Sequence, residues 1–594
     1  MSFVQNFPFF SIILCLLCAV TTFVAGDKWG RRLTIGLLSV SIVLQSCVLW
    51  FCASNNTSYS YMMGHFPAPW GNEIAAGVIE PLMALLFSVV MLLSVLGGME
   101  IRSTDRRVNS TTGYGYQYDG GGVVSLDPKL MEMLVYRQSP YYMMEDTYER
   151  NAAFYANADY TFDRRYSISA SARYDGSNQL GRGAAKRWLP TWTFAGKWII
   201  SNEAFMENAS RIVDFMSLRA SYGLTANIPP SASNAQELYR PGNAEVGITL
   251  ADLQNTELTW EKNYQLNVGF DLTLFGGRLD FNVDYFNRQG FDLISQIKVA
   301  GIGGFMWKNA NYADLDSQGV DITLGGKMIS TKDWTWSAHF TFGYSKNIIR
   351  NAKNSPEVFE LVRQEGGNKN NYPVNSLFSI PFAGLNPETG IPMFYNEKGE
   401  IGYDCYMQGI ETDFLKYEGQ IDPKYTGGLN TTLRWKSLSM NLFFTFQAGN
   451  VIRLNPVFSS SYSDITALPN EFKDRWIMSG DEQRTDIPAI ADNLMQKLYL
   501  SSAYPYNNYN YSSARVAKGD FIRLKSLSIN YELPSALVRK SRVFKRAAVR
   551  LTAKDLWLMY SDKALNGQDP EFFNTGGVAM PVQTQFVLSL DLGF

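Results

Sequence analysis

The sequence predicts an all-β transmembrane barrel, partial, of about 13–14 antiparallel strands, preceded by three transmembrane α-helices. Three observations carry that expectation. The chain ends on a strand with one apolar and one more polar face. Period-two alternation runs from roughly Tyr141 onward. The connections between strands sort into short and long.

In the terminal strand, Phe586, Leu588, Leu590, Leu592 and Phe594 share one face, and Val587, Ser589, Asp591 and Gly593 share the other. Such a strand suits a wall between lipid and water. The final residue is aromatic, which a membrane interface favours. These five apolar residues resemble the C-terminal insertion signal of bacterial outer-membrane barrels. The competing reading is a half-buried strand of a soluble sandwich.

Upstream strands repeat the pattern. Trp334, Trp336, Ala338, Phe340, Phe342 and Tyr344 alternate with Thr335, Ser337, His339, Thr341, Gly343 and Ser345. Tyr264 to Leu274 and Leu279 to Tyr285 behave alike, with Gln265, Asn267, Asp271, Asp280, Asn282 and Asp284 on the second face. A face of Gly, Ser, Thr, Asn and Asp suits a wet lumen better than a dry sandwich core.

Short connections are expected at Asp163-Arg164, Phe275-Gly276-Gly277, Ser330-Thr331-Lys332 and Lys436-Ser437. Long ones are expected at Thr225 to Asn255, Gly290 to Asn311, Ile348 to Lys424, Asn450 to Lys518 and Tyr560 to Val582. Tight turns at one end and long loops at the other are the layout of an outer-membrane barrel with its long loops outside. A further strand is expected near Tyr114.

Composition agrees. The 594 residues include 37 Phe, 33 Tyr and 13 Trp, enough for aromatic girdles at two interfaces. A net charge of −2 gives no reason to expect nucleic acid. Only His65 and His339 are histidines, which argues against a multi-histidine metal site. Cys15-x-x-Cys18 sits in an apolar run and is read as buried packing rather than a redox or zinc pair. No catalytic residue, cofactor or metal is expected, and the chain is not read as an enzyme.

Residues 1–107 read differently. Phe7 to Gly26, Leu33 to Ala53 and Gly77 to Gly98 are apolar stretches of transmembrane length, about 20 residues each. Lys28, Arg31 and Arg32 follow the first, and Arg102, Arg106 and Arg107 follow the third, so the positive-inside rule places the exit in the cytoplasm. Glu80 lies inside the third stretch, either at an ion path or helix-packing site or as an interfacial glutamate near the helix end. The loop Tyr61-Met62-Met63-Gly64-His65-Phe66-Pro67-Ala68-Pro69-Trp70-Gly71-Asn72-Glu73 resembles the D subunit of multisubunit monovalent cation/proton antiporters. The central helices of that family have no counterpart here.

Farther on, several blocks resemble the SusC/RagA family of TonB-dependent outer-membrane transporters. They are Arg173-Tyr174-Asp175-Gly176-Ser177, Leu218 to Thr225, Leu258-Thr259-Trp260-Glu261-Lys262, Gly384 to Gly390, Phe521-Ile522-Arg523-Leu524-Lys525 and Gly567-Gln568-Asp569-Pro570-Glu571. The resemblance implies the C-terminal portion of a larger barrel in the outer membrane. It also implies a SusD-like surface lipoprotein, coupling to TonB, and uptake of a glycan or peptide substrate. No plug domain or TonB-binding segment is recognised. The expected organisation is an antiporter-like membrane segment at 1–107, a linker at 108–139 and the receptor barrel at 140–594. Inner-membrane helices ahead of an outer-membrane barrel contradict each other, so the parts are read as unrelated fragments joined near residues 100 to 115. The alternative functions are an antiporter subunit fragment and a barrel with no transport role.

Other motifs weigh less. Asp314-x-Asp316-x-x-Gly319-x-Asp321 has Gly325 where a calcium loop needs a bidentate glutamate, so it is read as strand. Gly113-x-Gly115 with Gly120-Gly121-Gly122 is read as linker rather than phosphate loop. Tyr462, Tyr504, Tyr506, Tyr509 and Tyr511 are either sugar-stacking residues or ordinary packing.

Overall fold

The alternating sequence forms one hydrogen-bonded sheet. In this computed structural model the described residues are 27–55, 59–62, 73–76, 78–96, 98–113, 127–136, 142–228, 254–299, 307–459, 470–491, 504–540, 543–572 and 583–593, with a few short pieces between them. In chain order the strands of the sheet are β1 (Gly98–Thr111), β2 (Tyr142–Phe162), β3 (Tyr166–Ser177), β4 (Trp188–Ile199) and β5 (Val213–Asn227). There follow β6 (Glu261–Leu274), β7 (Leu279–Lys298), β8 (Trp307–Ser330), β9 (Trp334–Arg350) and β10 (Tyr425–Trp435). The last four are β11 (Leu438–Ala448), β12 (Phe521–Glu532), β13 (Arg546–Tyr560) and β14 (Gln585–Gly593). This 14-stranded order runs from β14 to β1 without a crossover, and these two strands stand at its ends.

The chain divides into two compact units. The first holds residues 1–159, 169–192 and 235–251. It contains helices α1 (Asp27–Asn55) and α2 (Ile79–Leu96), the short helix α3 (Pro128–Tyr136), and the pair β1–β2. Here the structure corrects the expectation of three spanning helices. Among the described residues one helical segment, Leu33–Ser54, is long and apolar enough to cross a membrane. The stretch from Phe7 to Gly26 lies largely outside the described residues, as does the expected glycine-rich linker. Helix α2 carries Glu80 in its first turn and ends at Leu96.

A second correction follows directly. Arg102, Arg106 and Arg107 do not flank a membrane helix; they lie on β1. Arg107 grips Asp146 of β2 at 2.7 Å, Arg150 pairs with Asp105, and Arg173 of β3 reaches Glu100 at 2.9 Å. All three arginines thus belong to a sheet strand, and Arg107 makes a cross-strand ion pair, so the run gives no topology signal. The sheet therefore starts at Gly98, the last residue of the third apolar stretch and within the expected 1–107 membrane segment, and its first strand lies upstream of Tyr114.

The second unit holds residues 160–168, 193–234 and 252–594, and includes all of β5 to β14. Its turns are as tight as expected. Asp163 and Arg164 both have positive φ, the geometry of a two-residue turn matching strand twist. Phe275, Gly276 and Gly277 are likewise left-handed, with the carboxylate of Asp214 accepting from both glycine N–H groups. At the other end the connections are 351–424, 449–520 and 561–584, close to the expected bounds.

One loop is shorter than expected. Gly290 to Asn311 is mostly strand, because β7 and β8 keep pairing to Lys298↔Trp307 beyond an irregularity between Gly290 and Leu293. Asp292 has a φ of 57° there. A bulge interrupts alternation without ending the ladder. The Asp314–Asp321 motif lies within β8, with Asp316 paired to Arg350 of β9 at 3.2 Å.

The register aligns faces across the second unit. On one side Phe270, Val283, Ile322 and Phe342 stand in a row, followed by Gly427 and Phe446. On the other stand Asp271, Asn282, Thr323, Thr341 and Gly428.

Candidate functional site

Two features of the second unit bear on function: the two-faced wall and an assembly built from the long loops. On the apolar face of the wall, aromatic rings cluster at two levels. Trp334 lies opposite Trp435 with ring centroids 5.8 Å apart, and Tyr344 lies opposite Tyr425 at 5.4 Å. The two levels are separated by ten positions, from 334 to 344 on β9 and from 435 to 425 on β10. Ten residues at about 3.4 Å each make roughly 34 Å of strand. A barrel tilt of roughly 40° reduces that to about 26 Å across the bilayer, close to the ~25 Å apolar band of outer-membrane barrels.

The opposite face is a polar network. Arg219 of β5 donates to both carboxylate oxygens of Asp284 at 2.6 and 2.7 Å, and lies 3.3 Å from Asp271. Asp271 also accepts from Ser217 at 2.9 Å and from Asn282 at 2.5 Å. A Cβ at Gly269 would fall 2.2 Å from Nε of Arg219, so glycine is what lets that side chain cross the strand. Nearer the tight turns, a recess of about 530 Å³ is lined by groups including Arg278, Asp280, Lys327, His339 and Asn430.

The terminal strand is exposed on both faces. Phe586, Leu588, Leu590 and Leu592 are all exposed, Leu588 at 73%, and Leu551 of β13, also exposed, lies directly opposite Leu588. Phe594 lies outside the described residues.

The loop assembly is the reverse of the wall: it has a dry core. Val358, Leu361, Phe378, Ile380, Phe394, Phe458, Phe472 and Tyr509 are buried together, drawn from the 351–424 and 449–520 loops. The short helix α4 (Val358–Val362) opens it with a reciprocal capping box between Glu357 and Glu360. At its centre Arg453 is 1% exposed. It donates to the carbonyls of Val362 (3.1 Å), Ser512 (2.6 Å) and Phe378 (2.6 Å), and to the hydroxyl of Ser379 (3.0 Å). Burial pulls this guanidinium down to about 9, with Glu418 opposing the shift. One side chain thus ties three loop segments with four hydrogen bonds. No periodicity in the sequence marks it, and it was not foreseen.

Two more arginines pin the loops. Arg515 binds Glu471 at 2.7 Å and lies over the ring of Phe458. Arg523 pairs with Asp569, and with Glu571 at 3.1 Å. This last cluster joins two of the sequence blocks singled out above, Phe521–Lys525 and Gly567–Glu571, across 46 residues. In a third, Asn386 caps the turn by accepting from Glu388 and Thr389, and a Cβ on Gly390 would strike the Trp476 ring at 2.4 Å.

Of the five tyrosines weighed as sugar contacts or ordinary packing, most are packing residues. Tyr506 is buried with its hydroxyl donating to the Ala489 carbonyl, and Tyr509 is buried against Phe458 and Phe382. Burial raises both phenols far above their ordinary range. Tyr462 packs edge-on to Phe472, and Tyr511 edge-on to Phe359. Tyr504 alone of the five is exposed.

A family model described as TonB dependent receptor-like, β-barrel, matches residues 94–462. TonB-dependent receptor P3 of Formosa agariphila is 27% identical over 440 residues, covering 70% of this chain and 41% of that protein. TonB-dependent receptor SusC of Bacteroides thetaiotaomicron is 24% identical over 235 residues, 38% of this chain and 22% of the relative. Among solved structures, the RagAB peptide transporter superposes with a TM-score of 0.67 at 23% identity, over 84% of this chain and 52% of that one. The chain thus spans about half the length of these relatives or less. The antiporter-like reading of residues 1–107 gains no support, and the family match begins at residue 94, before the junction expected near 100 to 115. Receptors of this family are outer-membrane transporters rather than enzymes. With the match covering well over half of the sequence, the chain belongs to the TonB-dependent receptor β-barrel family.

Proposed function

We propose that this chain forms wall and outer loops of a SusC/RagA-type transporter that takes up an oligomeric nutrient, an oligosaccharide or a peptide, across the outer membrane. The observation that carries the reading is the pair of aromatic levels, Trp334/Trp435 and Tyr344/Tyr425, set one apolar bilayer thickness apart. The long loops leave the wall beyond the tyrosine level and pack into a fixed assembly, as a surface that receives substrate requires. Arg453, Arg515 and Arg523 hold that assembly in place. The relatives named for SusC and for peptide transport support a SusD-like surface lipoprotein and TonB as partners. The exposed Phe586, Leu588, Leu590 and Leu592 serve as the outer-membrane insertion signal. The receptor portion starts near residue 94, and residues before it form a separate membrane-associated segment.

Deleting the coding sequence in its host and measuring uptake of labelled oligosaccharides and peptides tests the reading. Loss of one such uptake, together with copurification of a surface lipoprotein, is the expected result. Unchanged uptake of every oligosaccharide and peptide tested would refute it.

A further inference from the structure

In the second unit, a cavity of about 300 Å³ opens where the loop end of β7 and β8 meets helix α4 and the segment after it. Gln296, Lys298, Trp307 and Tyr312 line it from the strands; Asn354, Glu360 and Arg363 line it from the loop. Its back wall is Gly366-Gly367. Gly366 has a φ of 67°, and a Cβ on Gly367 would fall 2.4 Å from the Glu360 carbonyl oxygen, so no side chain intrudes there.

Both cations at this cavity already face carboxylates. Lys298 binds Glu357 at 2.8 Å with Glu360 at 3.8 Å, and Arg363 has Glu365 at 3.8 Å. A ligand's carboxylate would find no unpaired cation. What remains uncommitted is neutral. Among the described residues the side-chain amides of Gln296 and Asn354 and the Tyr312 hydroxyl hold no hydrogen bond within the protein. Each both donates and accepts. Trp307 is 40% exposed, with the Lys298 ammonium 5.4 Å from its ring centroid. An apolar ring beside neutral groups that donate and accept matches the C–H face and hydroxyl rim of a pyranose.

We propose that this cavity is a subsite for a neutral saccharide. Trp307 packs against the sugar's apolar face, while Gln296, Asn354 and Tyr312 bond its hydroxyls. The volume is at the lower end of ligand sites and suits one or two sugar units. The proposal rests on the uptake reading above and resolves its substrate class in favour of a glycan.

Calorimetry on the full chain in detergent micelles tests it, with maltotriose, cellotriose, xylotriose and mannotriose as neutral probes. Trialanine and trigalacturonate are the peptide and acidic controls. At least one neutral trisaccharide is expected to bind more tightly than both controls. Trp307→Ala should weaken that binding at least tenfold, Asn354→Ala and Gln296→Ala several-fold, and Trp307→Phe should retain most of it. Protease resistance of the loop assembly serves as the folding check for each variant. Preference for trialanine or trigalacturonate, no neutral binding, or binding indifferent to Trp307→Ala with the loops folded would each overturn the subsite. Uptake assays on cells carrying the same variants separate the two readings. Saccharide uptake that persists unchanged in Trp307→Ala leaves the transporter standing and removes the subsite; binding without any uptake does the opposite.

Discussion

The wall and the loop assembly of the second unit, made by one chain, dispose of apolar side chains in opposite ways. In the loops, Val358, Leu361, Ile380 and Phe394 are 0% exposed, and large side chains close over one another. In the wall, Leu590, Trp334, Trp435 and Trp557 are all exposed, although each stands on a strand hydrogen-bonded into the sheet. The loop assembly is thus satisfied in water, whereas the wall is satisfied only when lipid covers its outer face. Insertion of the wall and folding of the loops should therefore respond to different substitutions.

The largest separation is expected at Arg453. Arg453→Met keeps much of the volume but orphans the Val362, Ser512 and Phe378 carbonyls and the Ser379 hydroxyl. At about 1–3 kcal/mol per unsatisfied buried group, partly recovered by relaxation, the loops should lose about 3–6 kcal/mol. Limited proteolysis should then cut between residues 454 and 520 while membrane insertion is unchanged. Failure of insertion alongside loop cleavage would show that the two regions are not independent. Close behind comes Tyr509→Ala, which empties a site shared with Phe458 and Phe382 and should cost about 3–5 kcal/mol in the loops. Tyr504→Ala, at an exposed ring, should cost almost nothing, and equal losses in thermal unfolding would mean that the assembly is packed otherwise.

On the wall, Leu590→Arg should oppose insertion by about 2–4 kcal/mol if that face meets lipid near the midplane. Asp591→Asn, on the opposite face, should be tolerated. The fraction of chain recovered in lipid vesicles measures both. Equal recovery would reverse the assignment of faces, or remove β14 from the membrane altogether.

This contrast also governs how much the sequence could reveal. The wall was legible because each side chain's face follows from its parity along the strand, and tight turns betray themselves by residues such as Gly276-Gly277 and Asp163-Arg164. It failed where chemistry mimicked another signal. Arg102, Arg106 and Arg107 have the composition of a helix flank, and only the pairing of their strand with the next one, with Arg107 bound to Asp146 and Arg150 to Asp105, shows a strand. Gly290 and Asp292 resemble a loop start, but a bulge lets β7 continue to Lys298. The loop core was not legible at all. Arg453, Phe378 and Ser512 meet through long-range closure of irregular segments, which leaves no period to read. Arg523 with Asp569 is intermediate: both blocks stood out, but nothing in either sequence block says that they touch.

The smallest expected effect is a pH dependence confined to the loop side of the comparison. Asp562 follows β13, outside the spanning strands. Its carboxylate accepts from the Ala564 N–H at 3.0 Å and from the Lys518 N–H at 2.9 Å. These two bonds, Ala564 first, hold the carboxyl below its usual range. A depressed pKa in the folded state means that the unfolded state takes up its proton first as pH falls. The stabilisation is therefore fully present above the ordinary aspartate value of about 3.9 and is lost as pH drops through the lower folded value. Asp562→Asn keeps an accepting oxygen but cannot titrate. Between about pH 4 and pH 2 its loop stability should fall off less steeply than that of the parent chain, while vesicle insertion of the two stays equal. Identical acid limbs in the two proteins would show that the Asp562 bonds are not formed in solution, and that the 561–584 loop is fastened mainly by Arg523 through Asp569 and Glu571.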